Sequence, residues 1–150
     1  MNIGELNEAI IKEGAGEIIN LSESIQDYKL MSIAQDIAKS KNNIKIVLLS
    51  GPSSSGKTTT AKKLAMYLKT LGLKPHPLSL DDYFLERDQT PLGEDGKPDY
   101  EGVRAIDIKL LNRQLKKLFE GHEVVTPTYD FLTGKKIFNK PLKLEKTDIL

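Results

Sequence analysis

Ile44 to Leu49 is apolar apart from Lys45 and is followed by Ser50, by Gly51-Pro-Ser-Ser-Ser-Gly-Lys-Thr-Thr-Thr60, and then by an apolar stripe. Few arrangements satisfy all three pieces. The isoleucines and valine of the first predict a strand buried on both faces of a parallel sheet. Ala61, Leu64, Ala65, Leu68 and Leu71 recur at helical spacing, and Gly72 stands where a helix C-terminus favours a left-handed residue. Strand, glycine-rich loop and helix in this order predict an α/β unit.

The loop itself fits Gly51-x-x-x-x-Gly56-Lys57-Thr58, a nucleotide-binding phosphate loop, at every defining position. Its glycines let the backbone aim successive N–H groups inward, and the helix beginning near Lys57 adds its positive end. Gly51, Ser53, Ser54, Ser55, Gly56, Lys57, Thr58 and Thr59 are the expected triphosphate contacts. Lys57 brings a compact charge to the β and γ phosphates, and the Thr58 hydroxyl is the expected ligand of the Mg2+ that accompanies ATP. A glycine-serine turn with a chance lysine is the bland alternative, which the strand-loop-helix context disfavours. Lys62, Lys63, Lys69 and Lys74 read as a solvated helix face.

With 150 residues the chain can bury one α/β core. Its net charge of +1 gives no general attraction to nucleic acid or membrane. Cysteine is absent, which removes disulfides and thiolate metal sites from consideration. No basic, apolar leader opens the sequence, and no segment reaches the ~18 apolar residues of a membrane span, so a soluble, cytoplasmic protein is expected.

Residues 1–43 read as a helical lead-in, with Leu6, Ala9 and Ile10 on a short helix broken by Gly14 and Gly16, and Ile25, Tyr28, Ile33 and Ile37 on a second. The polar stretch at residues 39–43 marks a boundary, leaving residues 44–150 as the second segment. Residues 76–80 predict a short strand ending at Leu-Asp-Asp-Tyr-Phe. A polar loop runs on to about residue 103, long enough to suggest a lid, a binding loop or disorder. Ile108, Leu111, Leu115 and Leu118 predict an amphipathic helix stopped by Gly121. The segments around Leu132-Thr-Gly134 predict a hairpin, and Thr147-Asp-Ile-Leu150 opens a further strand.

Between residues 81 and 101 eight acids stand against Arg87 and Lys97, a balance suited to hydroxyl groups and not to a triphosphate. An aspartate at the end of the strand beside a phosphate loop points into the crevice where open α/β sheets bind ligands. There it can take the proton of an attacking alcohol. Asp81 or Asp82 could equally serve as a turn or cap residue. His76 and His122 lack metal-ligand spacing.

Taken together, Gly51-Pro-Ser-Ser-Ser-Gly-Lys-Thr-Thr59, Leu78-Ser-Leu-Asp-Asp-Tyr-Phe84 and Pro127-Thr-Tyr-Asp-Phe-Leu-Thr-Gly-Lys-Lys136 resemble the uridine kinase family, relatives of phosphoribulokinase and bacterial pantothenate kinase. The resemblance covers roughly residues 44–150. It implies a three-layer phosphate-loop fold with a parallel sheet and transfer of the γ-phosphate of ATP or GTP to the 5′-hydroxyl of uridine or cytidine. It also implies Asp81 as catalytic base with Lys57 assisting, Tyr83 and Phe84 as walls of the nucleoside pocket, Glu101 on the ribose hydroxyls and Tyr129 against the base. A homo-oligomer is compatible with it.

Two departures bear on function. Nucleoside-specific members carry a base-contacting histidine after the Tyr-Asp-Phe motif, where this chain has Thr133, Gly134 and Lys135. The family's second magnesium acid and arginine lid have no counterpart, which implies a fragment of a longer enzyme. The residues therefore leave open a different small alcohol as acceptor, such as a sugar phosphate or pantothenate, and a nucleotide-binding module without turnover.

Overall fold

A computed structural model describes residues 2–150 except Ser53 and Glu101, and only the backbone of Ala9 and Glu13. The chain divides into two compact units, residues 1–44 with 48–74, and residues 45–47 with 75–150.

The first unit is helical. Asn2 opens α1 (Ile3–Glu13) with a reciprocal cap: its side chain accepts from the Glu5 N–H at 2.9 Å, and the Glu5 carboxylate accepts from the Asn2 N–H. Gly14, at φ 85°, ends α1 and begins α2 (Ala15–Lys39). Gly16 lies within the first turn of α2 and breaks nothing. The buried residues of α2 are Leu30, Ala34 and Ile37, while Ile25, Tyr28 and Ile33 of the expected face are exposed. The difference has a packing cause: α2 lies along α3 (Lys57–Thr70), whose buried residues are Leu64, Ala65 and Leu68. Lys63 Nζ meets Asp27 Oδ1 at 2.8 Å between the two helices, and that hydrogen bond holds the Asp27 carboxyl below its usual range.

In the second unit, Asp107 caps α4 (Ile108–Phe119) by accepting from the Leu110 N–H at 3.0 Å. Strand β1 (Val124–Asp130) then pairs antiparallel with β2 (Lys135–Leu142), as the hairpin reading expected. Pro127 cannot donate to a ladder, and the register shifts between Thr126 and Pro127. Two apolar clusters are found among the described residues of the unit. Tyr83, Leu110 and Leu111 pack with Leu78, Ile106 and Leu115, and Leu118, Val124 and Leu144 pack with Leu142 and Leu150.

The expected parallel sheet is present only as isolated contacts. The Val47 N–H donates to Leu150 O at 2.8 Å and the Leu150 N–H to Lys45 O at 3.0 Å, an alternation characteristic of parallel neighbours. On the other side, Pro75 bridges Ile149 in parallel and the His76 N–H donates to Ile149 O at 2.8 Å. Each contact is too short to repeat into a ladder. The run from Ile44 to Leu49 is therefore no regular strand, and Leu48 is 83% exposed where burial on both faces was expected. Among the described residues the one regular sheet is the β1–β2 hairpin. Residues 76–80 likewise form no strand and run into a 3-10 turn at Leu80–Tyr83.

Candidate functional site

In the first unit, the loop before α3 has the geometry of an anion cradle. Ser54 at φ 59° and Gly56 at φ 80° are both left-handed, a costly conformation for serine, and such turns draw neighbouring N–H groups to one side. The Ser55 N–H and Lys57 Nζ both donate to Pro52 O, at 3.3 and 2.8 Å, so the ammonium lies across the loop. At Gly51 a Cβ would come within 3.0 Å of Ser55 Oγ, which explains the smallest residue there. Gly56 has no side chain with which to cap α3, and the first turn holds no acid. Its N–H groups and positive dipole end remain available to an anion. Thr58 and Thr59 are exposed beside them. Ser53 and Glu101, both expected at the site, lie outside the described residues.

In the second unit, the 3-10 turn Leu80–Tyr83 separates two neighbouring acids. Asp81 is exposed; its N–H donates to Ser79 Oγ at 3.3 Å, and its carboxylate has no partner among the described residues. Asp82 is tied to the hairpin, accepting from the Tyr129 N–H at 3.1 Å and from Lys140 Nζ at 3.4 Å. A free, exposed carboxylate can accept a substrate proton, whereas one engaged by two donors serves as an anchor.

The same turn parts Tyr83 from Phe84. Tyr83 was expected on a pocket wall, yet it is 1% exposed in the apolar cluster, and its hydroxyl donates to Gln114 Oε1 at 2.7 Å. Burial, with Asp82 nearby, pushes that phenol up to about 12, which keeps it a donor. Phe84 turns the other way. It bridges Ile106, while Leu85 and Asp107 N–H groups bond Ala105 O and Tyr83 O at 2.7 Å.

Phe84, Tyr129 and Phe131 form an edge-to-face trio with ring centres 5.0 to 6.2 Å apart. With Arg87 and Tyr100 they line a cavity of about 540 Å³. Two of the expected contacts, Phe84 and Tyr129, are thus brought together. Phe131, Tyr100 and Arg87 were missed. Phe131 had a readable signal, because it lies two residues after Tyr129, where an extended chain repeats its facing. Arg87 is one of the few cations in an acidic stretch, but its position depends on the hairpin tip: its N–H donates to Gly134 O at 3.0 Å and Nη2 to Phe131 O at 2.7 Å.

Among the described residues no cluster of three or more His, Asp or Glu could hold a metal ion, and no helix is long and apolar enough to cross a membrane.

A glycine-rich loop leading into a helix stands in one unit, and an aromatic cavity in the other. The sequence pattern of the Phosphoribulokinase / Uridine kinase family matches residues 46–150, and the chain belongs to that family. It is 32% identical over 108 residues to a uridine kinase of Staphylococcus haemolyticus (strain JCSC1435), covering 72% of this chain and 51% of that one. It is 31% identical over 109 residues to a uridine kinase of Lactobacillus helveticus (strain DPC 4571), covering 70% and 49%. A lower likeness, 25% over 138 residues, covers 89% of this chain and 19% of the inorganic pyrophosphatase TTM2 of Arabidopsis thaliana. The chain spans about half the length of the uridine kinases it matches.

Proposed function

We propose that this chain is the ATP-binding and acceptor-binding part of a nucleoside kinase that phosphorylates the 5′-hydroxyl of a pyrimidine nucleoside, uridine or cytidine. The observation that carries the reading is the aromatic cavity of Phe84, Tyr129 and Phe131, which lies shortly after the free carboxylate of Asp81 in the chain. Its flat apolar faces suit a nucleobase. In this reading residues 44–150 carry the kinase and residues 1–43 the helical lead-in, and the short parallel contacts around residues 148–150 belong to a three-layer phosphate-loop fold.

Each residue then has a role. The loop amides from Gly51 to Thr59 and the start of α3 bind the triphosphate, and Lys57 exchanges Pro52 O for the β and γ phosphates. Thr58 would hold Mg2+ through its neutral hydroxyl. When bound, that ion neutralises charge on the β and γ phosphates. Asp81 removes the proton of the 5′-hydroxyl as its oxygen bonds to the γ-phosphorus and the bond to the β–γ bridging oxygen breaks, releasing ADP. Glu101 is assigned to the ribose hydroxyls, and Tyr129 and Phe84 to the base.

The test is ADP release by the full chain with uridine, cytidine, pantothenate and ribulose 5-phosphate as acceptors. Release with the nucleosides, lost with ATP binding in Lys57→Ala and lowered by about 10²-fold with binding intact in Asp81→Asn, supports the reading. Release only with another alcohol reassigns the acceptor, and ATP binding without acceptor-dependent ADP indicates a binding module. The length of the TTM2 likeness favours one competing chemistry, phosphoanhydride hydrolysis, which phosphate release without any acceptor would reveal.

A further inference from the structure

The aromatic cavity contains one feature that the nucleoside reading does not require. Among its described lining residues Arg87 is the one charged group. Its guanidinium is positioned by Nη2 donating to Phe131 O at 2.7 Å, and its main chain is fixed by the backbone N–H donating to Gly134 O at 3.0 Å. Asp130 accepts from the Thr133 hydroxyl at 2.7 Å and from the Leu132 N–H at 2.9 Å, and these bonds, with a smaller contribution from the charge of Arg87, hold its carboxyl below the usual range; among the described residues no ion-pair contact joins the two side chains. The guanidinium therefore keeps N–H groups free for a ligand.

Gly134 is what makes room. A Cβ there would lie 2.7 Å from Arg87 Cβ, 3.0 Å from Nε and 3.2 Å from Cζ. Its φ of 70° also favours glycine. The arginine and the missing side chain at position 134 are two parts of one arrangement.

Resting on the nucleoside-kinase reading, we infer that Arg87 selects a base whose edge presents two adjacent acceptors, the cytosine type, over one that presents an N–H there, the uracil type. The reason is complementarity of donors. A guanidinium has donors and no acceptor, and it recognises paired acceptors on a base edge by a two-point contact. Cytosine offers O2 and an unprotonated N3. Uracil has O2 beside N3–H, so a second contact sets donor against donor and only one of the two contacts forms.

The experiment is calorimetric binding of cytidine and uridine to the full chain, with Mg2+ and a non-hydrolysable ATP analogue present, comparing the parent with Arg87→Ala and Gly134→Ala. The parent is expected to bind cytidine roughly tenfold more tightly than uridine. Arg87→Ala brings the two within about twofold by weakening cytidine. Gly134→Ala does the same while retaining the charge, because its methyl group displaces the guanidinium; thermal melting verifies that it is folded. Equal affinities in the parent, a preference for uridine, or a cytidine preference that survives Arg87→Ala overturns the inference and leaves the kinase reading intact. Failure of both nucleosides to bind overturns both.

Discussion

Both carboxylate oxygens of Asp82 are engaged by the hairpin, one by the Tyr129 N–H and the other by Lys140 Nζ. The side chain is mostly shielded, so removing it leaves a partly buried backbone donor without an acceptor, a loss of about 1–3 kcal/mol. Asp81, one residue earlier, is exposed, and among the described residues its one hydrogen bond is made by its own N–H. Asp82→Ala is therefore expected to lower folding stability by about 1–3 kcal/mol, and Asp81→Ala to change it by less than about 0.5 kcal/mol. Urea unfolding of the two variants checks this. Equal losses would mean that the turn as a whole, and not the Asp82 clamp, holds Phe84 and Tyr129 together.

At the scale of elements, the joint between α4 and the hairpin rests on Asp107, which caps the helix with one oxygen and accepts from Lys136 Nζ at 2.7 Å with the other. Lys136 is 8% exposed, so its ammonium depends on that partner. Burial works to raise the Asp107 carboxyl, but the Lys136 ammonium and the Leu110 N–H outweigh it and hold it below its usual 3.8. The unfolded chain therefore binds the proton first as pH falls. The stabilisation is complete above about pH 4 and is lost as pH drops through the depressed value. Asp107→Asn should melt lower than the parent at pH 7, and the gap should narrow below pH 3.8. A gap that is constant from pH 7 to pH 2.5 would separate the joint from this carboxylate.

The elements that could be read in advance were those set by nearby residues. Helix α3 follows from an apolar stripe and Gly72 within one window, and the β1–β2 hairpin from two extended runs around a turn that contains Gly134. The segment 44–49 depended on partners about 100 residues away, and the pairing it receives is a single alternation with Leu150. Tyr83 and Phe84 were both assigned to a pocket by the family resemblance of Leu78-Ser-Leu-Asp-Asp-Tyr-Phe84. A 3-10 turn instead sends the first into the core and leaves the second to the cavity. Arg87 was legible as a charge, but its placement needed Gly134 beside it in space, and a linear pattern does not contain that pairing.

For the whole molecule, charge and apolar exposure act together. The net charge is +1 with an isoelectric point near 7.8, so little mutual repulsion keeps copies apart close to neutrality. Between Lys45 and Ser50 the chain offers Ile46, Leu48 and Leu49 to solvent, with Leu48 83% exposed. The segment has strong strand propensity, no proline and one charge, the composition of an edge that recruits another extended chain. Among the described residues, Leu150 pairs with the Lys45 carbonyl and the Val47 N–H of this segment. Concentration-dependent association is therefore expected near pH 7.8, where the net charge is close to zero, and is expected to weaken as pH moves away from that value. Leu48→Lys places a second charge in the segment and should raise the concentration at which light scattering first departs from that of a monomer, without lowering the melting temperature of a side chain already in water. A parent that stays monomeric at millimolar concentration, or a Leu48→Lys variant that associates just as readily, would show that this stretch is not where copies meet.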